Sequence, residues 1–583
     1  MPLRAHRALI VGLLAAVAMG AALRGGWLTS DPPTHAATGI VWHDEGPWVH
    51  NARNRALWGT WRTDEWNPVF LTPVFTGLEY LSFETFGVGT WQARLVSVAS
   101  GLAAVLLIGL GLASTAGTRA GLIGASLLAT NYVFVMWNRA ALMESTMTAF
   151  IVASWSAYVL AQRWPALGLL SGTAVVLAWF TKASAAFFVA ALLLDALWTI
   201  AIGRSSQLRR WLAVGAPAPS SRAAAWWTIA GFAIATAVVS LFFVLPFWPE
   251  YRFYNWQMSV TRKPAYSVKA LMDRASWLPI AHDFFTRMWL VMTLASLGIA
   301  TVLARWRTAT AGERLLVLWV LVGLAELVVH DAGNERRYVM FVPALVALAS
   351  LVLSSSGPLI DSQPQVNRWI ALPVLLLLSY LVIGSLVRLA FLYEIRPGVR
   401  LGAALAVALS ALLVGRWRAA IGWLATQRIS PRAAVALTAL AMIGDLAQYG
   451  QWLRHRTTLN YQASIAVGRV LPAGTLVHGK LANGLALENR IRPVFIGRGF
   501  GNYEDRRRRD DVRYILTYVA PSLGYESQAR NPVILDVLEA YPQRAIVMTF
   551  DVAETGGRDR AALIDKFGGA AVPAPNGTER AQH

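Results

Sequence analysis

The sequence predicts an all-helical, multi-pass membrane domain followed by a small α/β domain at the C-terminus. Hydrophobic residues make up 56% of the 583 residues and charged residues only 14%, whereas a soluble protein carries about 25% charged residues. Long apolar runs alternate with short arginine-rich breaks, which is typical of membrane-spanning helices. From about residue 450 the apolar runs become short and are separated by Gly and Pro. We therefore divide the chain into a membrane domain, 1–450, and a soluble α/β domain, 451–583.

The apolar runs predict about 13 helices. The first run, about 8–27, is interpreted as a retained helix because no clean cleavage site follows it, and a signal peptide is the alternative. The other predicted helices lie at 95–113, 118–137, 140–161, 164–181, 184–202, 224–248, 285–304, 314–330, 338–355, 368–390, 400–416 and 431–449. Two polar stretches, 28–93 and 249–284, are too long to be simple connections.

The positions of the arginines predict which side of the membrane each loop occupies. The net charge is +20, but it is concentrated in alternate short breaks, which is typical of cytoplasmic loops and not of a nucleic-acid surface. These breaks contain Arg204, Arg209, Arg210 and Arg222, then Arg305, Arg307 and Arg314, then Arg416, Arg418, Arg428 and Arg432. With these inside, the loops 28–93 and 249–284 and the C-terminal domain lie outside. The Trp-rich parts of the two loops, 47–90 and 255–284, are expected to form helices in the outer interface.

The C-terminal domain is predicted from short β-type runs and helical segments. Strands are expected around 514–518 and 545–548, and helices at 532–541 and 559–567. The chain has no cysteine, so disulfides and thiolate metal sites are excluded.

Three acidic residues on the predicted outer face are candidates for chemistry. Asp44 and Glu45 follow the first helix, and Asp44 can either cap a helix over 47–58 or contribute to an active site. Glu144 lies about one turn inside an apolar run, where a buried carboxylate requires a cation or a metal nearby. Arg139 lies five residues before Glu144, and this spacing places the two side chains on different faces of a helix.

Several basic residues lie at the same predicted face. Arg94 begins the second membrane run, where the positive-inside tendency gives no reason for it. Lys182 ends another run, where it can serve as an interface anchor or as a phosphate contact. Arg336 and Arg337 precede Tyr338 at a helix start, where they oppose the helix dipole. An anion, either Glu335 or a lipid phosphate, is expected to offset them.

Acids and cations on one outer face suit glycosyl transfer from a lipid phosphate. A carboxylate can remove the proton of an acceptor hydroxyl. Cations, with or without a divalent metal, can stabilise the departing phosphate. The residues alone therefore favour a membrane-bound transferase.

At these residues the sequence resembles the GT-C glycosyltransferases, and in particular the protein O-mannosyltransferase and lipid A aminoarabinose transferase families. The resemblance extends over about residues 1–355 and rests on the order of five motifs along the chain. These motifs are Asp44-Glu45, Trp91-Gln92-Ala93-Arg94-Leu95, Asn138 to Glu144, Thr181-Lys182, and Arg337-Tyr338 with Pro343. Many relatives carry a basic residue before two prolines in the first loop, and here the stretch Asn67 to Pro73 lacks it. One donor or acceptor contact of the family is therefore in question.

The resemblance implies a role for each matching residue. It implies that Asp44 is the catalytic base or a metal neighbour, that Glu45 contacts the acceptor or supports Asp44, and that Glu144 is the second acid of the site. The donor phosphate is expected to contact Arg94, Arg139, Lys182, Arg336, Arg337 and Tyr338. If a divalent cation such as Mg²⁺ or Mn²⁺ takes part, Asp44 and Glu144 are the expected ligands.

The resemblance also implies the substrates and the location of the protein. The donor is expected to be a polyprenyl-phosphate sugar, transferred with inversion, and the acceptor a hydroxyl of a glycan, a lipid or a protein. The protein is expected in a bacterial inner membrane with its site on the outer face. A secondary transporter and a catalytically silent GT-C homologue are the alternatives. The oligosaccharyltransferase branch fits less well, because Thr228 follows Trp226-Trp227 where that branch has Asp.

Overall fold

The computed structural model describes residues 3–33, 40–62, 64–212, 214–261, 287–330, 335–355, 401–407, 409, 429–497, 500–501, 503–520, 532–554 and 557–569. The predicted helix at 368–390, most of the one at 400–416, and residues 262–284 of the second long loop lie outside this part of the chain. The predicted count of about 13 helices therefore stays a prediction.

Most of the predicted apolar runs form helices, with ends that differ by a few residues. In chain order the helices are α1 (Leu3–Gly25), α2 (Glu45–Trp58), α3 (Pro73–Phe86), α4 (Thr90–Ala116), α5 (Thr118–Thr130), α6 (Tyr132–Trp137), α7 (Met143–Ala161), α8 (Gly168–Thr181), α9 (Ala186–Arg204), α10 (Ser206–Leu212), α11 (Pro219–Val239), α12 (Trp248–Thr261), α13 (Trp289–Ala304), α14 (Ala311–His330), α15 (Val342–Ser354), α16 (Pro431–His455) and α17 (Leu459–Val470). A π-helical turn, Ser240–Val244, continues α11.

Five helical segments of the described chain are long and apolar enough to cross a membrane. They are His6–Gly25, Thr90–Ala116, Ala183–Arg204, Pro219–Val244 and Pro431–Val470. Three further apolar helical segments are shorter: Pro165–Thr181, Trp289–Leu303 and Val339–Ser354. Their lengths are below the roughly 20 residues that a perpendicular span requires.

The predicted single helix over 118–137 is interrupted, and this prediction is therefore wrong. Asn131 ends α5, and its side chain accepts a hydrogen bond from the backbone N–H of Phe134, which caps α6. Asp445 of α16 accepts a second bond from the backbone N–H of Tyr132. The break is stable in the apolar interior because these two side chains satisfy the backbone donors that it leaves.

The C-terminal residues form a mixed five-stranded sheet in the order β2-β1-β5-β7-β6. Its strands are β1 (Leu476–His478), β2 (Arg492–Val494), β5 (Tyr514–Ala520), β6 (Ala545–Glu554) and β7 (Gly557–Asp565), and a separate pair is formed by β3 (Ile496–Gly497) and β4 (Phe500–Gly501). Two short helices accompany the sheet, α18 (Lys480–Gly484) and α19 (Pro532–Ala540).

The helix predicted at 559–567 is wrong, since these residues form most of the strand β7. Ala561 and Leu563 are buried in one apolar cluster, and Ala562 and Ile564 in another. A strand buried on both faces is a continuous apolar run, and such a run cannot be distinguished from a buried helix by periodicity. The expected strands at 514–518 and 545–548 and the helix at 532–541 are confirmed.

The sheet is fastened directly to the helices of the first long loop. The buried guanidinium of Arg53 in α2 donates hydrogen bonds to the carbonyl oxygens of Ala486, Asn489 and Ile491, at 3.0–3.1 Å. Asp64 accepts a bond from the backbone N–H of Phe495. The residues of the first loop are thereby held between the helical bundle and the C-terminal sheet.

Gly172 tests the close packing of α8 against α11. A Cβ atom at Gly172 would lie 2.2 Å from the carbonyl oxygen of Thr228 and 2.3 Å from the backbone nitrogen of Phe232. We expect Gly172→Ala to lower the free energy of unfolding by about 1–3 kcal/mol, because backbone atoms must separate. Gly77→Ala is the matched control, since Gly77 in α3 has no atom within 4 Å of an added Cβ. This control should leave stability unchanged or raise it by about 1 kcal/mol, and equal thermal unfolding of both variants would contradict the packing.

Candidate active site

Four predicted site residues from four separate elements meet at one end of the helical bundle. Asp44 ends a 3₁₀ turn, Trp42–Asp44, and Glu144 lies in the first turn of α7. Lys182 follows the last residue of α8, and Arg336 lies in a short turn, Glu335–Arg337. Each side chain therefore comes from a helix end or a short turn.

These residues form a continuous chain of ion pairs. Lys182 Nζ lies 2.5 Å from Glu144 Oε1, and Arg336 Nε donates to the same oxygen at 2.8 Å. Arg336 Nη1 donates to Asp44 Oδ2 at 2.8 Å. Arg336 thus bridges two carboxylates, and we name the four residues the Asp44–Lys182 cluster.

The exposure of the two carboxylates separates their possible roles. The Glu144 side chain is only 1% exposed, whereas the Asp44 side chain is 17% exposed. Lys182 and Arg336 are similarly accessible, at 19% and 14%. A substrate can therefore reach Asp44, Lys182 and Arg336, whereas Glu144 binds the two cations from its buried position in the bundle.

Burial lowers the pKa values of the cations of the cluster, whereas the neighbouring carboxylates raise them. Burial opposes the charge of Arg336, but Glu144 and Asp44 outweigh it and raise the pKa of the guanidinium above its ordinary value. For Lys182 burial dominates, so its pKa is lowered to about 8 although Glu144 favours the charged amine. Arg336 is permanently charged, while Lys182 can lose its proton in mildly alkaline solution.

Asp44 occupies the position before α2, as the capping alternative expects, but its side chain does not cap the helix. The helix α2 begins at Glu45, one residue after Asp44, and within the described structure the Asp44 side chain makes no capping hydrogen bond. Its backbone is helical, with φ −73° and ψ −18°, whereas a capping residue is normally extended. The carboxylate is directed to Arg336 instead.

Glu45 is directed away from the cluster and joins three segments of the chain. Arg94 donates to both Glu45 oxygens, from Nε at 2.8 Å and Nη2 at 2.7 Å. The backbone N–H of Ala141 donates to the same carboxylate at 2.7 Å. These contacts indicate a structural role, which is closer to the expected support of Asp44 than to the expected contact with the acceptor.

Arg94 and Arg139 are likewise directed to protein groups and not to the cluster. Arg94 donates its remaining bonds to the carbonyl oxygens of Leu28 and Ser30. Arg139 donates to four carbonyl oxygens at the C-terminal end of α1 and just beyond it, those of Leu23, Arg24, Gly26 and Trp27. Protein oxygens thus provide the several acceptors that a buried guanidinium needs, and the expected contact of Arg94 and Arg139 with the donor phosphate stays a prediction.

Arg337 and Tyr338 lie beside the cluster in different ways. Arg337 is 8% exposed and close enough to Lys182 for its charge to lower the pKa of that amine. Tyr338 is buried in the main apolar core of the bundle. The structure therefore groups Arg337 with Lys182 as a cationic patch, whereas the Tyr338 ring packs inside.

The C-terminal sheet reaches the Asp44 loop, a contact that the sequence did not reveal. His43 is buried, and its Nδ1 lies 3.3 Å from the hydroxyl of Tyr518 in β5. A Cβ atom at Gly46 would lie 1.8 Å from the carbonyl oxygen of Asn483 in α18. No local pattern could have indicated these contacts, since more than 400 residues separate the partners.

Asp44 and Glu144 do not fit a shared divalent cation in this arrangement. Arg336 occupies the space between the two carboxylates, and Lys182 lies against the same Glu144 oxygen. Among the described residues there is no group of three His, Asp or Glu side chains that could hold a metal ion. The two ligands expected for Mg²⁺ or Mn²⁺ are paired with cations of the protein instead.

The fold, with its long apolar helices, is that of a multi-pass membrane protein. A solved structure of ArnT from Cupriavidus metallidurans bound to undecaprenyl phosphate matches with a TM-score of 0.50 and 15% identity, covering 97% of this chain and 99% of that one. An apo structure of the same protein matches with a TM-score of 0.50 and 16% identity, covering 96% and 97%. The fold of this chain is therefore that of ArnT, a GT-C glycosyltransferase.

The sequence itself matches a related family. The model of the dolichyl-phosphate-mannose-protein mannosyltransferase family matches residues 71–219. The apo oligosaccharyltransferase of Archaeoglobus fulgidus matches in structure with a TM-score of 0.44 and 12% identity, covering 95% of this chain and 74% of that one. No curated protein matches the chain. The predicted resemblance to GT-C glycosyltransferases of the mannosyltransferase kind is confirmed.

Substitutions of the neighbouring residues Asp44 and Glu45 test whether Glu45 has a structural role that Asp44 lacks. We expect Glu45→Gln to lower the free energy of unfolding by about 3–5 kcal/mol, because the buried Arg94 charge loses its partner. Asp44→Asn should change stability much less, since Asp44 is partly exposed to solvent. Thermal unfolding of both variants in the same detergent provides the measurement. A Glu45→Gln variant as stable as the wild type would contradict the structural role.

Proposed function

We propose that the protein transfers a sugar from a polyprenyl-phosphate carrier to an acceptor hydroxyl at the outer face of a membrane. The observation that carries the proposal is the Asp44–Lys182 cluster, in which an accessible carboxylate lies beside accessible cations at one end of a GT-C bundle. The match to undecaprenyl-phosphate-bound ArnT supports a lipid phosphate at this end only through the shared fold.

The cations are assigned to the donor phosphate. Lys182 and Arg336 already hold a carboxylate oxygen between them, at 2.5 and 2.8 Å. The phosphodiester of the donor carries one negative charge and accepts hydrogen bonds, as a carboxylate does, so it can share these donors. Arg337 adds a third positive charge. As the sugar leaves, negative charge grows on the phosphate oxygen, and fixed cations stabilise that change.

Asp44 is assigned as the base. In the proposed step the acceptor hydroxyl gives its proton to the Asp44 carboxylate while its oxygen bonds to the anomeric carbon. The bond from that carbon to the phosphate oxygen breaks, and its electron pair leaves with the polyprenyl phosphate. Attack opposite the leaving group inverts the anomeric centre. Asp44 and Glu144 are not proposed to bind a metal in this step, because Arg336 already lies between the two carboxylates.

The remaining assignments follow the charge pattern of the sequence. The arginine-rich breaks are proposed to face the cytoplasm of a bacterium, and the cluster and the C-terminal sheet to face outward. The acceptor is proposed to be a glycan, lipid or protein hydroxyl. A catalytically silent homologue and a transporter are the alternatives, and neither would release polyprenyl phosphate from a donor.

Substitution of Asp44 tests the proposed base. We expect Asp44→Asn to reduce the release of polyprenyl phosphate by at least about a hundredfold, because the amide cannot accept the acceptor proton. The purified protein in lipid is given a panel of polyprenyl-phosphate sugars with an acceptor extract, and Mg²⁺ is present throughout. Glu84→Gln is the matched control, since Glu84 is an exposed carboxylate of α3.

Wild-type turnover in Asp44→Asn would contradict the base assignment. Turnover by the wild type and by Glu84→Gln, but not by Asp44→Asn, would support it. Absence of release from every donor in the folded wild type would favour the silent homologue or the transporter.

The pH dependence of donor binding tests Lys182. Because its pKa is lowered to about 8, the amine is charged below that pH and loses its charge as the pH rises through it. The donor phosphodiester keeps its single negative charge across this range. We therefore expect donor affinity to fall above pH 8 in the wild type.

Lys182→Arg should remove this pH dependence, because arginine stays charged. Lys182→Ala and Arg337→Ala should weaken donor binding at every pH below 8. Identical pH profiles for the wild type and Lys182→Arg would show that Lys182 does not hold the phosphate.

A further inference from the structure

A large cavity opens at the end of the bundle opposite the Asp44–Lys182 cluster. Its volume is about 630 Å³, which is within the usual range for small-molecule sites. Glu144 lies in the first turn of α7, whereas Gln162 and Arg163, just beyond the last turn of the same helix, line the cavity. A helix of this length spans about 28 Å, so the cavity is a separate site.

The cavity is formed by chain segments that the arginine pattern assigns to the inner side of the membrane. The end of α4 provides Ala113–Thr115, the last turns of α9 provide Trp198 and Ile202, and the turn before α14 provides Trp306–Thr310. The segment Val214–Pro217 also contributes to the lining. Tryptophan and arginine side chains at helix ends are typical of the level of the lipid headgroups.

The lining of the cavity is cationic. Arg163, Arg307 and Arg314 line it, and the described residues of the lining include no Asp or Glu. Arg314 is neutralised by the buried Asp195, with Nε at 2.8 Å from Oδ1. Arg163 and Arg307 are exposed, and the described residues show no ion pair for either of them.

Two acidic side chains beside the lining, Asp195 and Glu313, are bound to other groups of the protein. Asp195 also accepts a hydrogen bond from the Tyr158 hydroxyl at 2.8 Å. Glu313 pairs with Arg305 and accepts a bond from the backbone N–H of Thr310 at 2.9 Å. The first turn of the 20-residue helix α14 lines the cavity at Ala311 and Gly312.

We infer that this cavity binds the phosphate headgroup of an anionic phospholipid from the leaflet opposite the proposed active site. Arg163 and Arg307 contact the phosphate, while Trp198 and Ile202 pack against the glycerol and the start of an acyl chain. Free phosphate is also an anion, but it lacks the apolar part that these side chains fit. The inference does not depend on the proposed transferase activity.

The test measures lipid-dependent thermal stabilisation of the full chain in detergent. A ligand that binds only the folded protein raises the melting temperature in a saturable way. Phosphatidylglycerol, phosphatidylcholine and inorganic phosphate are titrated separately. We expect saturable stabilisation with phosphatidylglycerol, and none with the other two over the same concentrations.

Substitutions locate this effect in the cavity. We expect the double variant Arg163→Gln, Arg307→Gln to require about tenfold more phosphatidylglycerol for half-maximal stabilisation. Ala216→Glu should have the same effect, because it places a negative charge in the lining without removing a contact. Arg432→Gln is the matched control: Arg432 is exposed at the start of α16 and is not part of the lining.

Each result then supports or contradicts the inference. Loss of the response in the double variant and in Ala216→Glu, but not in Arg432→Gln, supports it. If the double variant fails to fold, Ala216→Glu alone decides. Equal stabilisation by phosphatidylcholine or by inorganic phosphate, or an unchanged response in Ala216→Glu, overturns it.

Discussion

The bridge formed by Arg336 between Asp44 and Glu144 is the interaction on which the site depends. A carboxylate that is 1% exposed is unstable in an apolar bundle unless cations surround it. Glu144 meets this requirement with Lys182 and Arg336, and it thereby fixes both cations at the end of α7. Arg336 then extends to Asp44, which connects the first long loop to the bundle. The ions that stabilise the buried acid are thus the same ions proposed to bind a phosphate.

A second set of contacts holds the first loop where this bridge requires it. Glu45 binds Arg94 through both oxygens and also binds the backbone of Ala141. Arg53 fastens the same loop to the C-terminal sheet through three carbonyl oxygens. Asp44 therefore lies in a loop that is bound both to the helical bundle and to the C-terminal sheet. Such fixed placement suits a site in which a base and several cations must keep their geometry during reaction.

The residues of the site were predicted better than their roles. Charged residues near helix ends are costly in a membrane, so Asp44, Glu144, Lys182 and Arg336 were conspicuous in the sequence. The same criterion also selected Arg94 and Arg139, which are bound by backbone carbonyls and Glu45. Charge and position in the sequence do not indicate which acceptors surround a guanidinium. The His43–Tyr518 contact had no signal at all, because it joins distant parts of the chain.

Local sequence patterns specify the helical membrane character of the chain, most helix positions and the strands at 514–518 and 545–548. These properties depend on local composition and periodicity, which are visible in one stretch of residues. Long-range contacts, by contrast, separate α5 from α6, make residues 557–565 a strand, and select the cations that face Glu144. The break at Asn131 depends on Asp445, and the strand depends on its two neighbours in the sheet. Such choices are made by partners far away in the chain, and these partners meet only when the protein folds.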